Sequence, residues 1–215
     1  MIAIIDYGLG NLFSLQRAFQ RLGADAVISG DPETLKRAVR LVLPGVGAFG
    51  DGMEGLRSRG LVPVIESYAR EGRPLLGICL GMQLLMSESE EFGLHKGLGL
   101  IEGRVVRFPE PKAPERYKIP NIGWCRLQAA GSSWKGTILD GVKDRESAYF
   151  VHSYRVIPQK SENCLALTRY AGIEYCSVIR HLSVTGTQFH PEKSGPAGLL
   201  MLKNFLTLTP LECRP

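Results

Sequence analysis

Short apolar runs alternate with amphipathic segments through the first part of this chain of 215 residues. Met1 to Ile5 predicts a buried strand, and Leu12 to Leu22 carries apolar residues at helical spacing until Gly23 ends the helix. Further strands are predicted at Ala26 to Ser29, Arg40 to Leu43 and Pro74 to Ile78. Strands and helices in this alternation predict an α/β fold, with parallel strands joined by right-handed crossovers.

Helices are predicted between and after these strands. A short one spans Glu33 to Ala38. A longer segment, Gly55 to Arg70, is helical in its later part, where Pro63 marks either a start or a kink. Leu80 to Ser87 begins another helix directly after the strand that ends at Ile78. This order of elements is what a layered α/β fold requires.

The second half of the chain is richer in strands. Leu98 to Phe108 predicts a hairpin or a bent strand, and a proline-rich stretch follows to Pro120. Partly antiparallel strands are predicted at Ser147 to Tyr154, Cys164 to Tyr170, Ile173 to Arg180 and Val184 to Phe189, and a final helix at Ala197 to Leu206. The proline-rich stretch has the composition of a linker, but the chain beyond it is too short and strand-rich to stand alone. We therefore predict one domain over residues 1–215.

Composition narrows the function classes. Hydrophobic residues make up 44% of the chain and charged residues 22%, which is ordinary for a globular protein with a core. The net charge of +5 comes from scattered basic residues, so nucleic acid is not an expected partner. No apolar run reaches the roughly 18 residues of a membrane span. The N-terminus lacks a basic lead and a cleavage site, so we expect a cytoplasmic protein without a membrane contact.

The five cysteines argue against a disulfide framework and against a metal site. Their number is odd, and no pair has the C-x-x-C spacing of zinc ligands. In a reducing compartment most of them should be free thiols. The question is then whether one thiol is placed for chemistry.

Cys79 lies where a predicted strand turns directly into a predicted helix. Gly77 and Gly81 flank it at the spacing of a nucleophile elbow, and they remove side chains that would crowd the tight turn. The helix N-terminus favours the thiolate, and the backbone N–H of Leu80 is expected to point at a carbonyl oxygen under attack. A lone cysteine is more often a small buried hydrophobe. The flanking glycines reverse that interpretation, although several acyl-transfer classes stay open.

His190 is the candidate base for this nucleophile among the four histidines of the chain. Pro191 pushes His190 towards extended geometry, and in an extended segment residues i and i+2 face the same side. Glu192 is therefore expected beside the imidazole, where it would hold one tautomer and stabilise the imidazolium. A His-Pro-Glu run alone is more typical of a satisfied histidine at a strand end beside an exposed glutamate. Together with the cysteine turn it predicts a catalytic pair.

A glycine-rich loop, Pro44 to Gly47, follows the strand that ends at Leu43. If that strand neighbours the one before Cys79 in a parallel sheet, the loop lies beside the cysteine turn. Amides around Val46 and Gly47 are then candidates for the other half of an oxyanion hole. The alternatives are a phosphate cradle and an ordinary turn. No Lys-Ser/Thr pair follows the loop, which excludes a P-loop.

The combination of Gly-Ile-Cys79-Leu-Gly-Met-Gln83 with His190-Pro-Glu192 resembles the Cys-His-Glu type of class I glutamine amidotransferase. Within that family the chain closely resembles the glutaminase subunits of imidazole glycerol phosphate synthase. The closer match is carried by the segments Asp6–Leu12, Pro44–Phe49, Ile119–Trp124, Tyr149–Tyr154 and Gly186–Ser194. It extends from the first strand to the last helix and leaves only the tail after Leu208 unmatched.

The resemblance implies a flavodoxin-like α/β fold, with helices on both faces of a mixed, mostly parallel sheet. It implies hydrolysis of glutamine without a cofactor or metal. The ammonia would pass to a (β/α)-barrel cyclase subunit in a heterodimer. That partner would make imidazole glycerol phosphate and an aminoimidazole carboxamide ribonucleotide.

The resemblance also assigns roles to residues. By motif, Cys79 is the nucleophile, His190 the acid and base, and Glu192 the group that orients His190. The oxyanion hole is bordered by Val46, Gly47 and Leu80. Glutamine would touch Gly47, Gln83, Glu91, Ser153 and Tyr154, and the subunit interface and ammonia exit would lie near Trp124, Tyr149 and Lys193.

Two residues depart from the family pattern, and two other functions stay open. Asn121 and Cys125 stand where the family usually has His and Asn, in the segment assigned to the interface. One rival function is a glutaminase for anthranilate or pyridoxal phosphate synthesis, against which the Gly-Asn-Leu start and the Gly123-Trp124 pair argue. The other is a non-catalytic flavodoxin-like binding module, which would require the Cys, His and Glu to coincide by chance.

Overall fold

The computed structural model describes residues 1–111 and 117–209. The strands there are β1 (Ile2–Ile5), β2 (Ala26–Ser29), β3 (Arg40–Leu43), β4 (Leu75–Ile78), β5 (Met86–Ser89), β6 (His95–Lys96), β7 (Ile101–Arg107), β8 (Asn121–Ala129), β9 (Ser147–His152), β10 (Tyr154–Pro158), β11 (Cys164–Tyr170), β12 (Ile173–His181) and β13 (Val184–Thr187). The helices are α1 (Leu12–Arg21), α2 (Pro32–Arg37), α3 (Phe49–Ser58), α4 (Val62–Arg70), α5 (Leu80–Leu84) and α6 (Gly195–Thr207). In these two ranges no helix has the length and apolar character needed to span a membrane.

The strands pair into one connected sheet. Its main path runs β2-β1-β3-β4-β13-β12-β10-β7-β5-β6, and the first five strands of this path are parallel. From β13 onward most pairs are antiparallel. Strands β11, β8 and β9 branch from β12 as a further antiparallel series. The predicted α/β fold with a mixed sheet is confirmed, but the sheet is not mostly parallel, because the antiparallel series built on β12 adds more pairs than the parallel series contains.

The parallel strands are buried on both faces, as βα crossovers require. Along β1, Ile2 and Ile4 point into one hydrophobic cluster, and Ala3 and Ile5 point into another. Helices α1 and α6 cover the first cluster, and α2 to α5 contribute to the second. Because the parallel strands pack apolar residues on both faces, polar side chains that could act in a site are expected at the strand ends and in the loops that follow.

One helix is absent from the predicted elements, and one helix prediction needs correction. The helix predicted in the later part of Gly55–Arg70 is α4, and Pro63 lies in its first turn, so the proline marks a start. Helix α3, which begins at Phe49, is absent from the predicted elements. Gly60, with φ +66°, separates the two helices. The helix predicted over Leu80–Ser87 ends at Leu84, because the chain from Met86 pairs with β7 instead. Pairing with a distant strand overrides the local helical pattern.

The strands of the second half also differ from prediction. Strand β8 is absent from the predicted elements, and the segment from Leu98 to Phe108 is one strand, β7. The single strand predicted over Ser147–Tyr154 is two strands, because strand geometry is interrupted at Ser153. β9 pairs with β8, whereas β10 pairs with β7 and β12. The proline-rich stretch and the tail after Leu208 lie partly outside the described residues.

Candidate active site

Cys79 occupies a strained turn between β4 and α5. Its backbone has φ +54° and ψ −110°, a conformation that an L-residue rarely adopts. The flanking glycines permit this turn. A Cβ on Gly81 would lie 1.8 Å from the Leu43 carbonyl oxygen, and one on Gly77 would lie 2.7 Å from the Gly81 oxygen. The predicted glycine–cysteine–glycine elbow is therefore enforced by the close approach of β3, β4 and α5.

His190 reaches the same edge of the sheet from the far end of the chain. β13 is parallel to β4, with Thr187 opposite Ile78, so the residues after both strands emerge side by side. The Cys79 N–H donates to the Thr187 oxygen at 2.7 Å, and the His190 N–H donates to the Tyr149 oxygen at 3.0 Å. His190 is 4% exposed. Both side chains border one cleft.

The predicted contact between His190 and Glu192 is present. His190 Nδ1 lies 2.9 Å from Glu192 Oε1, and both side chains are buried. The route to this contact differs from the prediction. Only His190 is extended, and Pro191 begins a 3₁₀ turn that carries Glu192 back beneath the imidazole. The proline favours this turn because it lacks an N–H that would need a partner there.

The surroundings of His190 favour its charged form. Burial by itself disfavours an imidazolium, but a hydrogen bond to Cys79 and one to Glu192 outweigh it, and the pKa of His190 rises to about 10. With Nδ1 bound to Glu192, the other ring nitrogen is left for the cysteine sulfur. At neutral pH the arrangement therefore holds a proton next to Cys79, where a leaving group would need one.

The cleft has a volume of about 330 Å³. Besides Cys79 and His190, its lining includes most of the residues expected from the sequence: Val46, Gly47, Leu80, Gln83, Glu91, Ser153, Tyr154 and Lys193. Tyr149 and Trp124 stand outside it. Their rings pack edge to face, 5.9 Å apart, on the outer side of β8 and β9. In the described residues no group of His, Cys, Asp and Glu is suited to hold a metal ion.

The glycine-rich loop is fixed at one end and open at the other. The Tyr7 hydroxyl donates to the Pro44 carbonyl at 2.7 Å. A Cβ on Gly45 would lie 2.3 Å from the Tyr7 hydroxyl, so only glycine fits there. Gly47 has φ +103°, and a Cβ at this position would have no neighbouring atom within 4 Å. The peptides around Val46 and Gly47 therefore border the cleft on an anchored but locally unconstrained loop.

Glu91 joins the cleft to helix α3. Its Oε2 accepts a hydrogen bond from the Phe49 N–H at 2.7 Å, at the first turn of that helix. Burial raises the pKa of Glu91 above its usual range, while this hydrogen bond opposes the rise. A carboxylate placed here is a suitable contact for the ammonium group of an amino acid.

Gln188 belongs to the site, although the sequence pattern does not single it out. It is fully buried, and its Nε2 lies 3.9 Å from Cys79 Sγ. Its Oε1 accepts from Gln83 Nε2 at 3.1 Å. In the sequence, only its position between β13 and His190 points to the site, because the pattern does not distinguish Gln188 from a glutamine buried in the core.

Asn121 and Cys125 do not face the expected interface. β8 exposes Ile122 and Trp124, which alternate with them, and Asn121 is 1% exposed. The two side chains contact each other, with Asn121 Nδ2 3.8 Å from Cys125 Sγ. Asn121 and Cys125 therefore lie on the side of β8 opposite Ile122 and Trp124, because successive residues of a strand face opposite sides.

The sequence as a whole matches known proteins along nearly its full length. The family described as glutamine amidotransferase class-I matches residues 3–208. The imidazole glycerol phosphate synthase subunit HisH of Sulfurimonas denitrificans is 47% identical over 205 residues, 95% of this chain and 97% of the relative. The subunit of that name from Geobacillus thermodenitrificans is 50% identical over 207 residues, 96% of this chain and 95% of the relative.

Solved structures agree in fold at low sequence identity. PurLQS from Thermotoga maritima aligns with a TM-score of 0.73 and 18% identity, over 95% of this chain and 96% of that one. A glutamine amidotransferase from the same organism aligns with a TM-score of 0.66 and 15% identity, over 95% of each chain. The chain therefore belongs to the class I glutamine amidotransferase family, and within it to the group of HisH subunits.

Proposed function

We propose that this protein is the glutaminase subunit of imidazole glycerol phosphate synthase, and that it hydrolyses glutamine to glutamate and ammonia through Cys79. One observation carries the proposal. The sulfur at a strained turn and the imidazole of His190, which the buried Glu192 contacts from the other side, come from distant parts of the chain and border a single cleft. A thiol, a base and a group that orients the base are the parts that nucleophilic acyl transfer needs.

In the first half-reaction the Cys79 thiolate attacks the carboxamide carbon of glutamine. The C–S bond forms, and the carbonyl oxygen takes the negative charge. Collapse of this intermediate breaks the C–N bond, and the nitrogen leaves as ammonia with the proton that His190 holds. The raised pKa of His190 suits this step, because the proton is in place before the nitrogen departs.

In the second half-reaction water cleaves the γ-glutamyl thioester. Neutral His190 takes a proton from the water, whose oxygen attacks the thioester carbon. The C–S bond then breaks, and the sulfur is restored as the thiolate beside an imidazolium. Glu192 stabilises that imidazolium through Oε1 and keeps the ring oriented during both proton transfers.

The oxyanion of both half-reactions would be held by backbone amides. The N–H of Leu80 and those around Val46 and Gly47 are the candidate donors, since all three residues line the cleft. The loop is pinned at Pro44 by Tyr7, but the conformational freedom of Gly47 lets a peptide rotate into or out of the hole. We therefore expect weak glutaminase activity alone and a higher rate when a partner holds the loop in one state.

The remaining cleft residues would bind the amino-acid end of glutamine. Glu91 presents a carboxylate to the ammonium group, and Gln83, Ser153 and Tyr154 line the same space. A cleft of about 330 Å³ accommodates one small amino acid.

The partner would be a (β/α)-barrel cyclase that docks on the outer side of β8 and β9. Ile122 is 60% exposed and Trp124 58% exposed there, and Trp124 lies opposite Tyr149 on β9. Exposed aromatic and aliphatic side chains at one patch are typical of an interface. Lys193 lies at the mouth of the cleft, where ammonia would leave. We place the reaction in the cytoplasm, where a catalytic thiol stays reduced.

The test is a glutaminase assay of wild type and Cys79→Ala, each with and without a (β/α)-barrel cyclase subunit. Wild type should hydrolyse glutamine and respond to the cyclase. Cys79→Ala should lose at least about 10³-fold in kcat, since its nucleophile is gone. Cys164→Ala, which removes a buried thiol that does not line the cleft, serves as the control. An active Cys79→Ala, or a wild type with equal rates in both conditions, would refute the respective part of the proposal.

A further inference from the structure

Three polar side chains are buried at one wall of the cleft, which His152 itself helps to line, and take no part in the proposed reaction. Asn121, His152 and Tyr175 are 1%, 5% and 2% exposed. His152 is the last residue of β9, and the wall that it belongs to runs from Val151 to Tyr154. The Val151 carbonyl lies 3.7 Å from Cys79 Sγ. Whatever holds this wall therefore sets the shape of the cleft.

The hydrogen bonds of His152 determine its tautomer. Nδ1 lies 2.8 Å from the Tyr154 carbonyl oxygen, which only accepts, so Nδ1 carries the proton. Nε2 is then the acceptor, and it lies 3.2 Å from both Asn121 Nδ2 and the Tyr175 hydroxyl. Burial lowers the pKa of His152 to about 4, with the Tyr154 bond opposing and His190 adding to the shift. The ring is therefore neutral at physiological pH.

The Tyr154 carbonyl joins this group to the nucleophile. It accepts a second hydrogen bond, from Gln83 Nε2 at 3.2 Å. Gln83 in turn contacts Gln188, whose amide reaches the sulfur of Cys79. One backbone carbonyl is thus held by two cleft residues, His152 within the wall and Gln83 on α5.

We propose that His152 is a positioning residue, whose Nδ1–H holds the Tyr154 carbonyl and with it the glutamine-binding wall Val151–Tyr154, while Asn121 on β8 fixes the tautomer. The inference rests on the proposed function, because it assigns glutamine to this cleft. The competing explanation is that His152 only fills space among Phe108, Phe150 and Tyr175, whose rings lie 5.2, 5.6 and 5.2 Å away.

Two substitutions separate these explanations. The amide nitrogen of Asn is as many bonds from Cβ as Nδ1 of His, so His152→Asn keeps a donor for the Tyr154 carbonyl. The amide of Gln reaches as far as Nε2, so His152→Gln keeps the contact with Asn121 and Tyr175 but loses that donor. Both variants remove the ring, and a packing role would therefore suffer in both.

The measurement is steady-state glutaminase kinetics of the full chain with the cyclase subunit, together with the thermal midpoint of each variant. His152→Gln should raise KM for glutamine about tenfold, with kcat within about threefold, because the hydrogen bond that it loses holds Tyr154, which lines the substrate cleft, and not Val151, which approaches the sulfur. His152→Asn should keep KM within about threefold of wild type. Equal increases in KM for the two variants would overturn the proposal.

A second measurement does not depend on activity. Long-range ¹⁵N–¹H NMR of histidine-labelled wild type should show His152 as the neutral Nδ1–H tautomer, and Asn121→Leu should weaken that preference. An Nε2–H tautomer or an imidazolium at neutral pH in wild type would overturn the inference. Absence of glutamine hydrolysis in wild type would instead refute the proposed function and leave the tautomer result standing as a separate fact.

Discussion

The parallel and antiparallel parts of the sheet build the same cleft by different means. The parallel part, β2-β1-β3-β4-β13, supplies Cys79 and His190 after the ends of neighbouring strands. The turn at Cys79 is fixed there by contacts so close that only glycine fits at Gly77 and Gly81. The antiparallel part supplies the opposite wall, Val151 to Tyr154, which is held by side-chain hydrogen bonds such as that of His152.

The two parts therefore differ in how far their conformation can adjust. A turn enforced by steric contact has one conformation, whereas a wall held by individual hydrogen bonds can shift when one of them changes. The antiparallel part also bears the exposed face of β8 and β9, which is the proposed site of partner docking. The nucleophile thus sits on the sterically enforced part, and the cleft wall Val151–Tyr154 lies next to the proposed docking face.

The largest effect that this comparison predicts is on folding at the elbow. Gly81→Ala should lower the free energy of unfolding by about 3 kcal/mol or more, because its Cβ would overlap the Leu43 carbonyl. Gly136→Ala is the control, since Gly136 has φ +70° but open space around a Cβ; its cost should be about 1 kcal/mol. Urea unfolding measures both. Equal losses would mean that close approach does not fix the turn.

Next in size is the effect of the carboxylate behind His190. Glu192→Gln keeps the shape of the side chain but removes the charge that stabilises the imidazolium, so kcat should fall about 10²-fold. Glu102→Gln, on the exposed side of β7, is the matched control and should retain wild-type kcat. The check is the initial rate of glutamate release with the cyclase present. A Glu192→Gln rate within about threefold of wild type would remove Glu192 from the mechanism.

A smaller effect should follow at the outer face of the antiparallel part. Trp124→Ala should weaken binding of the cyclase by about 2 kcal/mol, roughly thirtyfold in Kd, because a large exposed aromatic ring loses its burial. Leu182→Ala is the control, as Leu182 is 64% exposed in the turn between β12 and β13. Titration calorimetry measures both. Docking elsewhere on the molecule would leave the Trp124→Ala complex as tight as wild type.

The smallest predicted effect is on the pH dependence of stability. The pKa of His190 is about 10 in the folded chain, above its ordinary 6.5, so the folded state binds this proton more tightly. The resulting stabilisation is fully present below about pH 6.5 and is lost as the pH rises towards about 10. Glu192→Gln removes one cause of the shift. The stability advantage of wild type over this variant should therefore be larger at about pH 6 than at about pH 10, by about 1 kcal/mol. An advantage that grows with pH would contradict this sign.

The residues of the elbow and the base are accessible from the sequence because their geometry is local. The glycines flanking Cys79 and the spacing of His190 and Glu192 are patterns within five residues, although the contact that requires Gly81, with the Leu43 carbonyl, comes from β3. Strand β8 is not accessible in the same way. Its alternating burial depends on β9 and β11 lying on either side of it, and its residues carry no strong strand pattern of their own. The same reason explains the early end of α5.

The chain by itself determined the order of strands β1 to β4, the turn that carries Cys79 and the pairing of His190 with Glu192. These depend on backbone restrictions that glycine and proline impose wherever they occur. Three features follow only from the assembled fold: the contact of Gln188 with the sulfur, the inward position of Asn121 and Cys125, and the contact of His152 with the Tyr154 carbonyl. Those contacts join residues far apart in the chain, and their geometry exists only once β4, β8, β9 and β13 have been assembled into one sheet.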